Sequence, residues 1–253
     1  MIRLTPRLLT AAAYVRPGHL TADVGTDHAY LPIWLCESGT LTPVPVPDGA
    51  PVMKGQPYPA SLCAIASDIH QGPVDRAALH VRMAGLADRI LTVRTDGLHG
   101  LECFSPTDII IFGMGGELIA SILAEAPWTK DPAVRLILQP MTHAEKLRTF
   151  LLDNGFAVIG ETLSAEESRI YQTICVEYRP KEQPPADARR PACLLTGFAY
   201  PDGQRSLHRE LIRRMINTHT ASRDARASAG LDTDEENRLL DDLAALAAEL
   251  NPT

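Results

Sequence analysis

The sequence predicts an α/β fold: a doubly wound, mostly parallel sheet closed by an antiparallel edge hairpin, with a helical hairpin at the C-terminus. Three observations carry that reading. Short apolar runs ending in Gly, Asp or Pro alternate with helical patterns through residues 20–155, as strands buried on both faces of a parallel sheet do. Two runs of period two then follow each other at 156–164 and 169–178 and read as an antiparallel pair. Beyond a proline-rich stretch, two polar helices of opposite charge close the chain.

In chain order, "LTADVG" (20–25) is the first strand, and Tyr30, Leu31 and Trp34 begin the helix after it. The segment "TLTPVPVPDGAPVMKGQPYP" (40–59) is too dense in proline and glycine for a helix or a central strand and reads as an inserted surface loop. "LCAIASD" (62–68), "ILTVRTD" (90–96), "DIIIFGM" (108–114) and "RLILQP" (135–140) are the next four strands. Helices are expected at 73–86, 116–126 and 143–155. In the last, Leu147, Phe150 and Leu151 share one face and Gly155 is the stop. "RPKEQPPADARRPA" (179–192) has the composition of a linker, and helices at 204–229 and 233–250 meet near Gly230. The resulting division is a ligand-binding domain over 1–180, a linker over 181–203 and a helical hairpin over 204–253.

At 253 residues and 45% hydrophobic content the chain can build a sizeable core. No apolar run approaches the ~18 residues of a membrane span, and "MIRLTPRLLT" lacks the apolar segment and cleavage site of a signal peptide, so a cytoplasmic protein is expected. Cysteines 36, 63, 103, 175 and 193 are scattered without C-x-x-C spacing and read as reduced thiols rather than a metal site. A net charge of −7 argues against a general nucleic-acid binder. The charge is unevenly placed, however. The first tail helix carries Arg205, Arg209, Arg213, Arg214, Arg223 and Arg226, while the second is acidic with the single arginine Arg238.

The turn Asp23-Val24-Gly25-Thr26-Asp27-His28-Ala29 lies where a dinucleotide-binding fold carries G-x-G-x-x-G and holds a pyrophosphate on a helix N-terminus. Two carboxylates there would repel a phosphate at a cost of several kcal/mol in a partly desolvated crevice. A cationic ligand without phosphate reverses the sign. S-adenosylmethionine, with a sulfonium and an α-ammonium, is the expected cofactor, and Gly25 is the point of close backbone approach. The following strand ends continue the pattern. Asp68, with Ile69 beside it, can accept both ribose hydroxyls. Its distance from Gly25 exceeds the usual ~20 residues by roughly the length of the proline-rich insert. Asp96 and Gly97 end the third strand, where an Asp can accept from the adenine amine, and Gly113-Met114-Gly115-Gly116 ends the fourth. A single Asp at a strand end is commonly a helix cap; four successive strand ends with Asp or Gly are harder to explain that way.

The blocks "RLLTAAAYV", "ADVGTDHAYLP", "SDIHQGP", "RTDGL", "GMGGELI", "LILQP" and "GFAVIGETLSAEESRIYQTICVE" run in order from residue 7 to about 178. Together they resemble the bacterial tRNA adenine-22 N1-methyltransferases. The resemblance implies a Rossmann-like class I methyltransferase domain with a coiled-coil-like helical tail. It also implies transfer of a methyl group from S-adenosylmethionine to N1 of an adenine in the D-arm region of tRNA. By the same resemblance, Asp23, Gly25 and Asp27 belong to the first cofactor loop, and Asp68 to the ribose site. Asp96 and Gly97 fall in the adenine pocket, and Gly113, Met114, Gly115 and Gly116 beside the transfer site.

Adenine N1 carries an in-plane lone pair, so positioning and electrostatics rather than a strong base must supply the acceleration. The nearly bare loop at Gly113–Gly116 offers a flipped base an edge-on approach. Methylation makes the base cationic. Asp27 is the candidate for stabilising that charge, His28 for orienting it, and Tyr30 for stacking on the base; Tyr30 could equally begin a helix face and His28 cap the turn. Met114 is expected to pack at the cofactor's edge. Arg3, Arg7 and Arg16, together with Arg205, Arg209, Arg213 and Arg214, are candidates for tracking tRNA phosphates, against the alternative of a solvated face paired with acids. Two further readings share these residues: a methyltransferase for another RNA site, a small molecule or a protein amine, and a non-catalytic interaction protein with a vestigial pocket. No membrane and no obligate protein partner are expected, and the default state is a monomer.

Overall fold

The computed structural model describes residues 2–47 and 60–250, so most of the 40–59 insert lies outside the described residues. The chain begins with α1 (Pro6–Tyr14), then β1 (Thr21–Val24), α2 (Tyr30–Glu37), the short strands β2 (Val44–Pro45) and β3 (Ser61–Leu62), β4 (Ala64–Asp68), α3 (Gln71–Met83) and β5 (Ile90–Arg94). It continues through β6 (Asp108–Met114), α4 (Gly116–Ala124), β7 (Arg135–Pro140), α5 (Ala144–Asp153), β8 (Phe156–Glu166) and β9 (Arg169–Tyr178). The tail holds α6 (Pro191–Thr196), α7 (Arg205–Ser228) and α8 (Asp234–Glu249).

Seven strands form one sheet in the order β5-β4-β1-β6-β7-β9-β8, with the last pair antiparallel as the period-two runs predict. The central strand β1 is parallel to β4 and β6 and buried along its whole length, its polar Thr21 and Asp23 included. Alternation on β6 divides the core. Ile109 and Ile111 join Ile119 and Leu123 of α4 and Leu147 and Leu151 of α5 on one face. Ile110 points the other way, toward Ala11 of α1, Leu31 and Ile33 of α2, and Ala77 and Val81 of α3. The reversal of strand order between β4 and β6 puts a crevice beyond the carboxyl end of β1.

Three features depart from the sequence reading. The flanks of the insert pair with each other, Val44 opposite Leu62, as a small antiparallel ribbon. Helix α1, whose first turn is capped by the Thr5 hydroxyl accepting from Leu8 N and opened by Pro6, covers β8 and β9. The segment 181–203, a linker by composition, carries α6 and is tied to the sheet by a buried ion pair. Arg148 on α5 and Glu161 on β8 meet at 2.6 Å with both side chains fully buried. Arg148 also donates to the Leu194 carbonyl at 2.8 Å, and Glu161 accepts from the Phe198 and Ala199 amides at 2.7 and 2.9 Å. A separate small core of Ala192, Cys193, Ile212, Leu243 and Leu246 joins α6 to α7 and α8. Among the described residues no helix is long and apolar enough to cross a membrane.

Candidate functional site

The turn after β1 is fixed by backbone geometry before any side chain is considered. The Gly25 and Thr26 amides both donate to the Ser67 carbonyl of β4, at 2.8 and 2.9 Å, folding the turn over the neighbouring strand. Gly25 takes φ +80°, which a side chain would strain, and its Cα faces the Met114 methyl so closely that an added Cβ would lie 2.3 Å from it. Since that methyl ends a flexible chain, the backbone angle is what demands glycine. Opposite, Gly113 at φ +79° breaks the register of β6 against β7 and turns Met114 toward Gly25. Buried Gln139 holds this bulge, accepting from the Gly113 amide at 3.2 Å and from Arg7 Nη1 at 3.0 Å. Gly115 caps α4, and a Cβ on Gly116 would fall 2.2 Å from the His143 carbonyl oxygen. The last glycine of the motif is therefore a packing residue that seats α4 on the loop after β7.

Asp23 is nearly sealed at the floor of the crevice, and burial pushes its carboxyl up to about 6 against a Thr26 hydrogen bond and the Arg7 charge. Asp68 at the end of β4 accepts from the His70 amide at 2.7 Å, and Ile69 beside it is exposed. Asp96 and Gly97, just beyond β5, line a cleft with Leu98, Ile122 of α4 and Trp128. The structure thus sets Asp23, Gly25, Asp68, Asp96, Gly97, Gly113, Met114 and Gly115 along the carboxyl edge of neighbouring strands.

Asp27, His28 and Tyr30 sit farther out, and two partners come from α3. Arg76 grips Asp27 through Nε at 3.0 Å and more closely through Nη2, and this hydrogen bonding holds the carboxyl below its ordinary range. His28 Nε2 lies 3.1 Å from the other Asp27 oxygen. The rings of His28, Tyr30 and His80 form a cluster with centroids 4.9 to 5.2 Å apart, and His80 Nδ1 lies 3.2 Å from the His28 carbonyl. Sequence reasoning missed Arg76 and His80, although their spacing of one helical turn within "DRAALH" puts them on one face of α3.

A family model described as a methyltransferase domain matches residues 4–50 and 59–174. The chain belongs to the methyltransferase-domain family. It is similar to the tRNA (adenine(22)-N(1))-methyltransferase of Bacillus subtilis (strain 168), 29% identical over 243 residues that cover 96% of this chain and 93% of that one. The crystal structure of the B. subtilis M1A22 tRNA methyltransferase TrmK superposes with a TM-score of 0.72 at 27% identity, covering 99% of this chain and 98% of that one. Streptococcus pneumoniae Sp1610, a candidate tRNA (m1A22) methyltransferase solved with S-adenosyl-L-methionine, gives 0.74 at 27% identity, covering 98% of this chain and 99% of that one.

The methyltransferase domain does not present all its arginines to solvent. Arg16, expected to track phosphate, sits at the opposite end of the sheet. Its backbone amide and guanidinium bind buried Asp108 at 2.6 and 2.7 Å, and Nη2 donates to the Thr107 and Ala133 carbonyls. The structure gives this side chain a partner other than the one expected, a buried carboxylate that it neutralises. Arg7 is likewise half-buried beside Gly113, with its guanidinium 5.4 Å above the Tyr171 ring. On α7, Arg205 pairs with Asp202, and Arg213 and Arg214 share Glu210, while Arg209 is partly exposed. Arg214 also reaches the Ser168 carbonyl in the β8–β9 turn and, with Met141, His143, Arg169 and Met215, lines a groove beside the loop after β7.

Proposed function

We propose that this chain methylates N1 of adenine 22 in tRNA, using S-adenosylmethionine as the donor. The observation that carries the proposal is the charge of the crevice: Asp23, Asp68 and Asp96 end three adjacent strands, and the glycine loop Gly113–Gly116 ends the strand on the other side of β1. The full-length likeness to chains described as tRNA (m1A22) methyltransferases supports the choice of substrate.

The residues present fit the donor. Buried Asp23 has few partners of its own and suits an ammonium, Asp68 a ribose diol and Asp96 an exocyclic amine; Gly25 and Gly113 keep the backbone low. Ser67 Oγ and Arg7 Nε, both near this crevice, are buried without a hydrogen-bond partner among the described residues, a pattern that a polar ligand resolves. When bound, S-adenosylmethionine supplies an electrophilic sulfonium methyl. The chain's own work is orientation and electrostatics. Arg76 keeps Asp27 ionised, so its carboxylate can accept from the base amine as positive charge develops. The ring cluster of His28, Tyr30 and His80 walls the outer rim, and the exposed edge of Tyr30 is available to a flipped base. Phosphate tracking falls to Arg209, Arg213 and Arg214 on α7 and Arg169 in the facing turn.

The test is incubation with labelled S-adenosylmethionine and unmodified tRNA, followed by nucleoside analysis. N1-methyladenosine is expected, and it is expected to vanish when adenine 22 is replaced. Label at another site, or on free small molecules, overturns the assignment.

A further inference from the structure

Helix α3 braces the turn between β1 and α2 from its outer side. Within that turn Ala29 takes φ +54°, a left-handed conformation uncommon for a residue with a side chain, and is fully buried. Its amide donates to Thr26 Oγ1 at 3.1 Å, which secures the turn from within. Further contacts come from α3, which is seated on the core through buried Val74, Ala77 and Val81 and so offers a fixed support. Arg76 places both Nε and Nη2 on Asp27 Oδ1, and His28 Nε2 lies 3.1 Å from Oδ2. A carboxylate offers about four acceptor positions, so these three donors leave one for an incoming amine. One helical turn on, His80 Nδ1 lies 3.2 Å from the His28 carbonyl, and its ring packs on His28 and Tyr30 with centroids 5.1 and 5.2 Å away. A carbonyl oxygen only accepts, so this nitrogen carries the proton.

We infer that Arg76 and His80 are positioning residues for the proposed methyl transfer, together holding the turn from Asp27 to Tyr30 in the conformation that receives the base. The inference rests on the proposed function and deepens it. The charge of Arg76 keeps Asp27 ionised, whereas its two-pronged grip fixes the direction of the carboxylate. His80 acts on the next residues, tying down the His28 backbone while its ring backs Tyr30. An exposed ion pair and a single hydrogen bond at the rim add little to stability, so what their loss changes is the geometry of the turn.

Steady-state methylation of unmodified tRNA by the full chain, paired with deuterium exchange over residues 26–30, tests the role. Arg76→Ala and His80→Ala are each expected to lower kcat by ~10–100-fold, the cost of a small misplacement, with KM for tRNA within about threefold of the wild type. Because both act on one turn, the double variant is expected to lose little more than the worse single one. Arg76→Lys, which keeps the charge without the fork, is expected to recover little of the loss. His80→Asn, whose amide can donate to the same carbonyl, is expected to stay within about threefold of wild-type kcat. Exchange over the turn is expected to quicken by ~10-fold in both alanine variants. Full recovery by Arg76→Lys overturns the role, as do losses that multiply in the double variant or that fall on KM for tRNA alone. The two possible failures are distinguishable. Wild-type protein that leaves tRNA unmethylated overturns the proposed function beneath the inference, whereas active wild-type protein with unchanged kcat or unchanged exchange in the variants overturns the inference alone.

Discussion

Asp23 sets the electrostatic character of the site. Its carboxyl is raised from 3.8 to about 6 by burial, so the folded protein binds a proton more tightly than the unfolded chain does. The stability contribution of this group is present below the unfolded value and is lost as pH rises through about 6, roughly 3 kcal/mol in all. A cationic ligand relieves that cost. Donor affinity is therefore expected to rise between pH 5 and 7, and Asp23→Asn to flatten the rise; an unchanged slope in titrations of the variant would remove Asp23 from the binding step. Asp27 titrates in the opposite sense, because Arg76 holds its carboxyl low. Arg76→Gln is expected to move the acid limb of kcat/KM to higher pH while the melting temperature changes little, as befits an exposed pair. At Gly25 the angle of +80° makes Gly25→Ala cost ~1–2 kcal/mol of local strain, read as loss of donor binding.

Among elements, the five parallel strands and the closing hairpin were legible because each obeys one local rule: an unbroken apolar run for a strand buried on both faces, period two for an edge pair. The carboxylates at the strand ends were legible for the same reason, since a strand end is a position along the chain. What could not be read is what depends on distant partners. Arg148 looks like an ordinary solvent-facing residue in "HAEKLRTFLLDNG", yet it is fully buried against Glu161 and the Leu194 carbonyl. Arg16 and Arg7 read as surface cations until the fold delivers Asp108 to one and Gln139 to the other. α1 had a readable signal in Thr5 and Pro6, and α6 a readable Pro191, but proline-rich surroundings hid the second. Removing one partner of the Arg148–Glu161 pair leaves a buried charge alone. Glu161→Ala is thus expected to lower stability by ~3–5 kcal/mol in denaturant titrations. A decrease below about 1 kcal/mol would show that this ion pair does not seat the tail.

Across the whole molecule, the net charge of −7 conceals a division of labour. Acids end the strands at the donor crevice and crowd α8, where several pair with Arg190 and Arg226, while α7 carries arginines, Arg214 among them beside the loop that follows β7. The buried pair and the small core of the tail hold α7 over the groove next to Met141, whose amide bonds to the Met114 carbonyl of the transfer loop at 2.8 Å. A nucleic-acid backbone lying along α7 would thus bring its target base toward Met114. Reversing two charges, Arg213→Glu with Arg214→Glu, is expected to weaken tRNA binding and lower the salt slope by roughly 2, one for each phosphate no longer neutralised. An unaltered slope would place the RNA on another face. The crevice is expected to favour a cationic methyl donor and to reject phosphate, and calorimetry on the wild-type protein checks this without any variant. Saturable heat with S-adenosylmethionine and none with NADH is the expected result; tight uptake of NADH with no heat from S-adenosylmethionine would contradict it.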